Sequence, residues 1–143
     1  MKNFIYCLTW MFLINASVYA NKYDNQIDLA MGKMVEAFEA EGKSRKIDNY
    51  TDLIKIQYHK EMKIILLTHE VDIGAMLNKE YLDNSDAWKI KSANKIKACL
   101  SGFGVLLKNK LIKIEHVFLD KKSKYLILRY FISSDDCDIK NEK

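Results

Sequence analysis

Between Asp24 and Gly42, residues Ile27, Met31, Met34, Val35 and Phe38 recur at helical spacing, which predicts a helix with one apolar stripe. Gly42 and the Gly42-Lys43-Ser44 run read as its stop. From Tyr50 to Tyr58 the period changes to two: Ile54, Ile56 and Tyr58 alternate with Lys55 and Gln57, as in a half-buried strand. Met62 to Val71 is again β-rich, and the short polar His59-Lys60-Glu61 between the two runs predicts a hairpin. Asp72 to Leu82 then fits a short helix. A longer helix, capped by Ser85 or Asp86, follows through Trp88, Ile96, Cys99, Leu100, Phe103 and Leu107, with Gly102 and Gly104 weakening its last turns. Leu111–Leu119 and Tyr125–Ile132 predict two more strands around Asp120-Lys121-Lys122-Ser123-Lys124, and Ser133-Ser134-Asp135-Asp136 closes the second. The order α-β-β-α-α-β-β predicts an α+β domain: a four-stranded antiparallel sheet packed on one face by helices. Tyr125–Ile132 is apolar on both faces, which predicts a central position in that sheet.

The first twenty residues follow a different logic. Lys2 precedes an apolar run from Phe4 to Ile14, and Val18 and Ala20 occupy the small-residue positions of a cleavage site. This is the three-part layout of a secretory signal peptide. The run is about half of the ~20 residues that span a bilayer, so cleavage after Ala20 is favoured over a permanent anchor. Residues 21–143 then form a single periplasmic or secreted domain. Cys7 falls inside the apolar run, which does not suit lipid attachment. Removing the leader turns three cysteines into two, Cys99 and Cys137. An even count in a compartment that permits disulfides favours a bond between them, with two separately buried thiols as the other reading. Closing a loop of 38 positions would stabilise the fold by roughly 4 kcal/mol in the chain-entropy model.

The closing pattern has a helix carrying Cys99, a strand, a polar turn at Asp120–Lys124, an aromatic strand and Asp136-Cys137. It resembles a group of small exported bacterial proteins of uncharacterised function. These end in a hairpin with a similar Asp/Lys/Gly turn and a terminal Asp-Cys paired to a helix cysteine. The resemblance spans roughly residues 47 to 137. Ser123 stands where a glycine is common in such turns. What the resemblance implies is fold and compartment, and no catalytic residue.

Composition narrows the function classes. The 143 residues include no proline and five glycines, with 49% apolar and 29% charged residues. This is a globular balance without disordered linkers or a glycine-rich phosphate cradle. The net charge of +4 hides an uneven distribution. Residues 21–86 carry 13 acids and 9 bases; residues 87–143 carry 6 acids and 13 bases. Between Ala87 and Ile114 stand Lys89, Lys91, Lys95, Lys97, Lys108, Lys110 and Lys113, and no acid. Such a run is either a solvated helix face or a surface that steers the protein onto an acidic envelope partner. Nucleic acid is a poor target, because only Arg45 and Arg129 are available for bidentate phosphate and base recognition.

A catalytic constellation is not visible. His69-Glu70 lacks the second histidine of H-E-x-x-H, no Cys/His cluster has zinc spacing, and no serine sits in a G-x-S-x-G elbow. His59 is placed in a turn, and His69 and His116 on strands, where they would meet only if those strands were neighbours. Asp135, Asp136 and Asp138 lack the spacing of a calcium loop. The reading is therefore no enzyme, no cofactor and no metal. It favours a periplasmic protein–protein interaction module accessory to an envelope assembly such as a secretion or pilus system. An immunity or inhibitor protein that neutralises a toxic envelope enzyme is the alternative, and a small hydrolase with a hidden constellation comes third.

Overall fold

The computed structural model describes residues 23–42, 44–77 and 84–137. The signal-peptide reading of residues 1–20, the second half of the expected Asp72–Leu82 helix and Asp138 lie outside them. The chain divides into two compact units, Met1–Met34 and Val35–Lys143. In the first, the described residues are the start of helix α1 (23–40), with Ile27 and Met31 buried and Tyr23 and Leu29 exposed, as the stripe requires. In the second, α1 ends where Gly42 takes a left-handed φ of 61° and its N–H bonds to the Glu39 carbonyl.

The second unit holds a five-stranded sheet. Its strands are β1 (Arg45–Lys46), β2 (Thr51–His59), β3 (Ile64–Val71), β4 (Lys113–Asp120) and β5 (Leu126–Ile132), paired in sequence order. All neighbours are antiparallel except β3 and β4, which run parallel with Ile64 opposite Lys113. Two parts of the expected sheet are thus corrected: there are five strands, and the sheet is mixed. The parallel pair follows from what connects it. Between Val71 and Lys113 lie α2 (Ile73–Leu77), α3 (Asn84–Leu100) and α4 (Phe103–Lys108). Of these only α3 is long: 17 residues span about 25 Å, close to the roughly 27 Å of an eight-residue strand. One helical return brings the chain back to the end where β3 began, so the next strand runs the same way.

A third correction concerns β5, which is the outermost strand rather than a central one. Tyr130 and Ile132 are buried, whereas Ile127 and Phe131, which point to the other face, are exposed. The sheet's buried face includes Leu53 and Ile56 from β2, Ile65, His69 and Val71 from β3, Ile114, His116 and Phe118 from β4, and Tyr130 and Ile132 from β5. Over this face lies α3, where Asn94 donates to the Tyr130 hydroxyl at 2.6 Å.

The helical region predicted through Leu107 breaks at Ser101–Gly102 into α3 and α4. Gly104 explains the tightness of this corner. A Cβ there would lie 2.0 Å from the Cys99 carbonyl oxygen, so only glycine lets α4 approach α3 so closely. Beside the corner, Cys99 and Cys137 form a disulfide with Cα atoms 5.3 Å apart. It joins the end of α3 to α5 (Ser134–Cys137), the single turn after β5. Asp136 accepts from the Ser133 N–H and closes that turn.

Candidate functional site

The basic segment does not form one surface. Lys91 and Lys95 are four residues apart on α3 and so share a helix face. That face is turned inward: the Lys91 ammonium lies 5.9 Å from the Tyr130 ring centroid, and Lys95 pairs with Asp136 at 2.7 Å. Burial pushes the Asp136 carboxyl up. The bonds from Lys95 and the Ser133 N–H, with the charges of Lys95 and Lys91, outweigh it and hold Asp136 below the usual carboxylate range. Lys89 and Lys97 are exposed on another side of α3. Lys108, Lys110 and Lys113 are exposed along α4, the loop after it and the first residue of β4. Two of the seven lysines thus fasten α3 to β5 and α5, and five face outward.

The helices and strands bring His69 and His116 together, which spacing alone left open. In the parallel register His116 sits beside Leu67 and Phe118 beside His69, so the two histidines are diagonal neighbours on the buried face. His69 Nε2 and His116 Nδ1 share a hydrogen bond of 3.0 Å, in which one ring nitrogen donates and the other accepts. The rings belong to a stack: His69 on Phe118 with centroids 4.4 Å apart, and His116 on Tyr130 at 5.1 Å. His69 Nδ1 is buried without a partner. Burial, opposed by the charge of Asp48, lowers the His69 pKa to about 4. Burial and the neighbouring His69 lower that of His116 to about 3. Burial likewise pushes the Tyr130 hydroxyl up to about 12, against the bond from Asn94. Both imidazoles are neutral at pH 7. Among the described residues no group of three or more His, Cys, Asp or Glu side chains could hold a metal ion. His59 ends β2 rather than lying in the turn.

The other face of the sheet is polar and partly open. Three carboxylates from successive strands are each capped by a cation from the β4–β5 hairpin: Asp52 by Lys121 at 3.0 Å, Glu70 by Lys124 at 2.5 Å, and Glu115 by Arg129. Glu115 is itself buried, so Arg129 serves as the lid of a buried charge. Ser123 keeps the hairpin turn without glycine. Asp120 Oδ2 accepts from both the N–H and the hydroxyl of Ser123, and the left-handed position falls on Lys124, with φ 60°. A cleft of about 250 Å³ opens beside β2, lined by Phe38, Glu39, Gly42, Ser44, Ile54, Lys55 and Ile56. It is smaller than the roughly 300–1,000 Å³ of drug-sized ligand sites.

The most conspicuous feature missed by sequence reasoning is the edge position of β5. Leu126, Ile127 and Phe131 are 58%, 42% and 44% exposed on a strand whose outer edge pairs with no other described strand, and Tyr125, just before it, is 78% exposed. The opposite edge, β1, has two residues, both cations. No helix of the described residues is long and apolar enough to cross a membrane.

No family model matches the chain, and no curated protein sequence does. Its fold is similar to that of solved structures. One is a protein of Pseudomonas aeruginosa thought to be secreted, with TM-score 0.56 and 16% identity over 78% of this chain and 96% of that one. Another is the pilotin of a Vibrio vulnificus type 2 secretion system, with TM-score 0.58 and 14% identity over 80% of this chain and 94% of the pilotin.

Proposed function

We propose that the protein is an exported, non-enzymatic interaction module that binds another envelope protein within a secretion or pilus assembly. The observation that carries this reading is the fold likeness to a secretion-system pilotin across 94% of the pilotin's length. The geometry agrees with it. His69 and His116 meet in a buried stack, and among the described residues the sheet ends in an exposed apolar edge. The disulfide fits a domain that works outside the cytoplasm. A partner with an acidic surface suits the five outward lysines, which favour association electrostatically.

Deleting the gene and fractionating the envelope tests the reading. A multimeric secretion or pilus component should fail to assemble, and recover when the full-length gene is returned. An intact assembly, with cells now sensitive to a co-produced toxin, would instead establish the immunity reading.

A further inference from the structure

We infer that the outer edge of β5 is a docking site for an extended segment of a partner protein, which adds a sixth strand to the sheet. This inference rests on the interaction-module reading and specifies where and how the partner binds.

An edge strand presents alternate backbone N–H and C=O groups to whatever lies beside it. Monomeric proteins blunt such edges with short strands and charged residues. The β1 edge is blunted in this way: it is two residues long, both charged, with Arg45 tied to Glu41 at 2.8 Å. The β5 edge is not. It runs seven residues, about 23 Å, with a single charge at Arg129. A register shift opposite Phe118 and Leu119 disturbs only its start, leaving Leu128–Ile132 regularly paired to β4. That leaves Leu128–Ile132 as the template, with Arg129 and Phe131 on the open face and the bulged residue Ile127 exposed just before them.

The chemistry of the occupant follows from that face. Arg129 uses its Nε on Glu115, but a guanidinium has five donors, and this side chain is 58% exposed. An added strand with an acidic residue beside Arg129 and apolar residues beside Ile127 and Phe131 would match all three positions. A second copy of β5 fits less well. Two-fold pairing centred on residue 129 sets Arg129 against Arg129. Centring it on Leu128 or Tyr130 sets Arg129 against Ile127 or Phe131, and no register offers it an acid. The occupant is therefore an extended, apolar–polar–acidic–polar–apolar segment of another protein.

The test uses residues 21–143 with the disulfide intact and fluorescent ten-residue peptides of alternating valine and threonine with one central glutamate. Binding is read by anisotropy and by amide hydrogen exchange. The glutamate peptide should bind at least tenfold more tightly than versions with a central lysine or two inserted prolines. Exchange within Leu126–Ile132 should slow by tenfold or more on binding. Ile127→Lys with Phe131→Lys should abolish binding while the thermal midpoint stays unchanged. Equal binding of the proline peptide or of an amphipathic helical peptide would overturn the inference. So would the absence of binding, or a peptide-free dimer that the double variant dissociates. If the double variant still restores envelope assembly in the deletion strain, the edge is not the docking site but the interaction-module reading stands. If the peptides bind as expected and no assembly depends on the gene, the edge stands and that reading falls.

Discussion

His69 and His116 show how a few ångströms turn two unremarkable strand residues into a conditional element of the core. Both are held neutral by burial, and protonating either puts a cation beside its neighbour in an aromatic stack. The unfolded chain takes up these protons near the ordinary histidine value of 6.5, while the folded chain resists them down to about 4 and about 3. Between those limits the unfolded state binds more protons, so the contribution is fully present above pH 6.5 and is lost as pH falls towards 3. Urea unfolding should therefore show a loss on the order of 2–4 kcal/mol between pH 7 and pH 5, before most carboxylates titrate. A His69→Leu, His116→Phe double variant should flatten that dependence, and an unchanged slope would place its origin elsewhere. Gly104 makes a second prediction at this scale. Gly104→Ala should cost at least about 2 kcal/mol, because the added methyl meets the Cys99 carbonyl. Gly32→Ala, in the open on α1, should stabilise by about 0.5–1 kcal/mol. Equal thermal midpoints for the two variants would contradict this account of the α3–α4 corner.

At the scale of elements, the bond between Cys99 and Cys137 ties the end of α3 to the turn after β5. Replacing both cysteines by serine should lower stability by roughly 4 kcal/mol through the freed unfolded chain. Alkylation of the unreduced, denatured protein should find no thiol at either position. Local pattern was enough to place α1, β2, β3, β4 and β5 in the chain, because each is an apolar stripe at helical spacing or a short β-rich run bounded by polar turns. It could not place them beside one another. Whether β3 and β4 run parallel depends on how many helix lengths separate them, and two helical regions of unequal length looked like a pair. In β5, apolar residues on both faces have two physical causes, burial between neighbours and exposure at a docking edge, and the sequence pattern is the same for both. β1, two cations long, has no period to read. The histidine pair was invisible for a related reason: it exists only in the parallel register that sets Phe118 beside His69. The basic run was legible as charge but not as geometry, since only the helix phase shows that Lys91 and Lys95 turn inward.

At the largest scale, the unit Val35–Lys143 is a mixed sheet fastened to its helix layer by a disulfide, with one edge guarded by two cations and the other, among the described residues, unpaired. The account also predicts processing: mass spectrometry of the protein recovered from the envelope should give a mature chain beginning at Asn21, and an intact Met1 in that fraction would contradict export through a cleaved leader. Its central claim is that this frame holds another component of an envelope assembly. The most direct measurement is crosslinking in intact cells of the natural host, followed by mass spectrometry of what is joined to the protein. The expected result is one dominant partner belonging to a secretion or pilus assembly, joined through peptides that include β5. A dominant link to a free enzyme that the protein inhibits, or no specific link at all, would contradict the account.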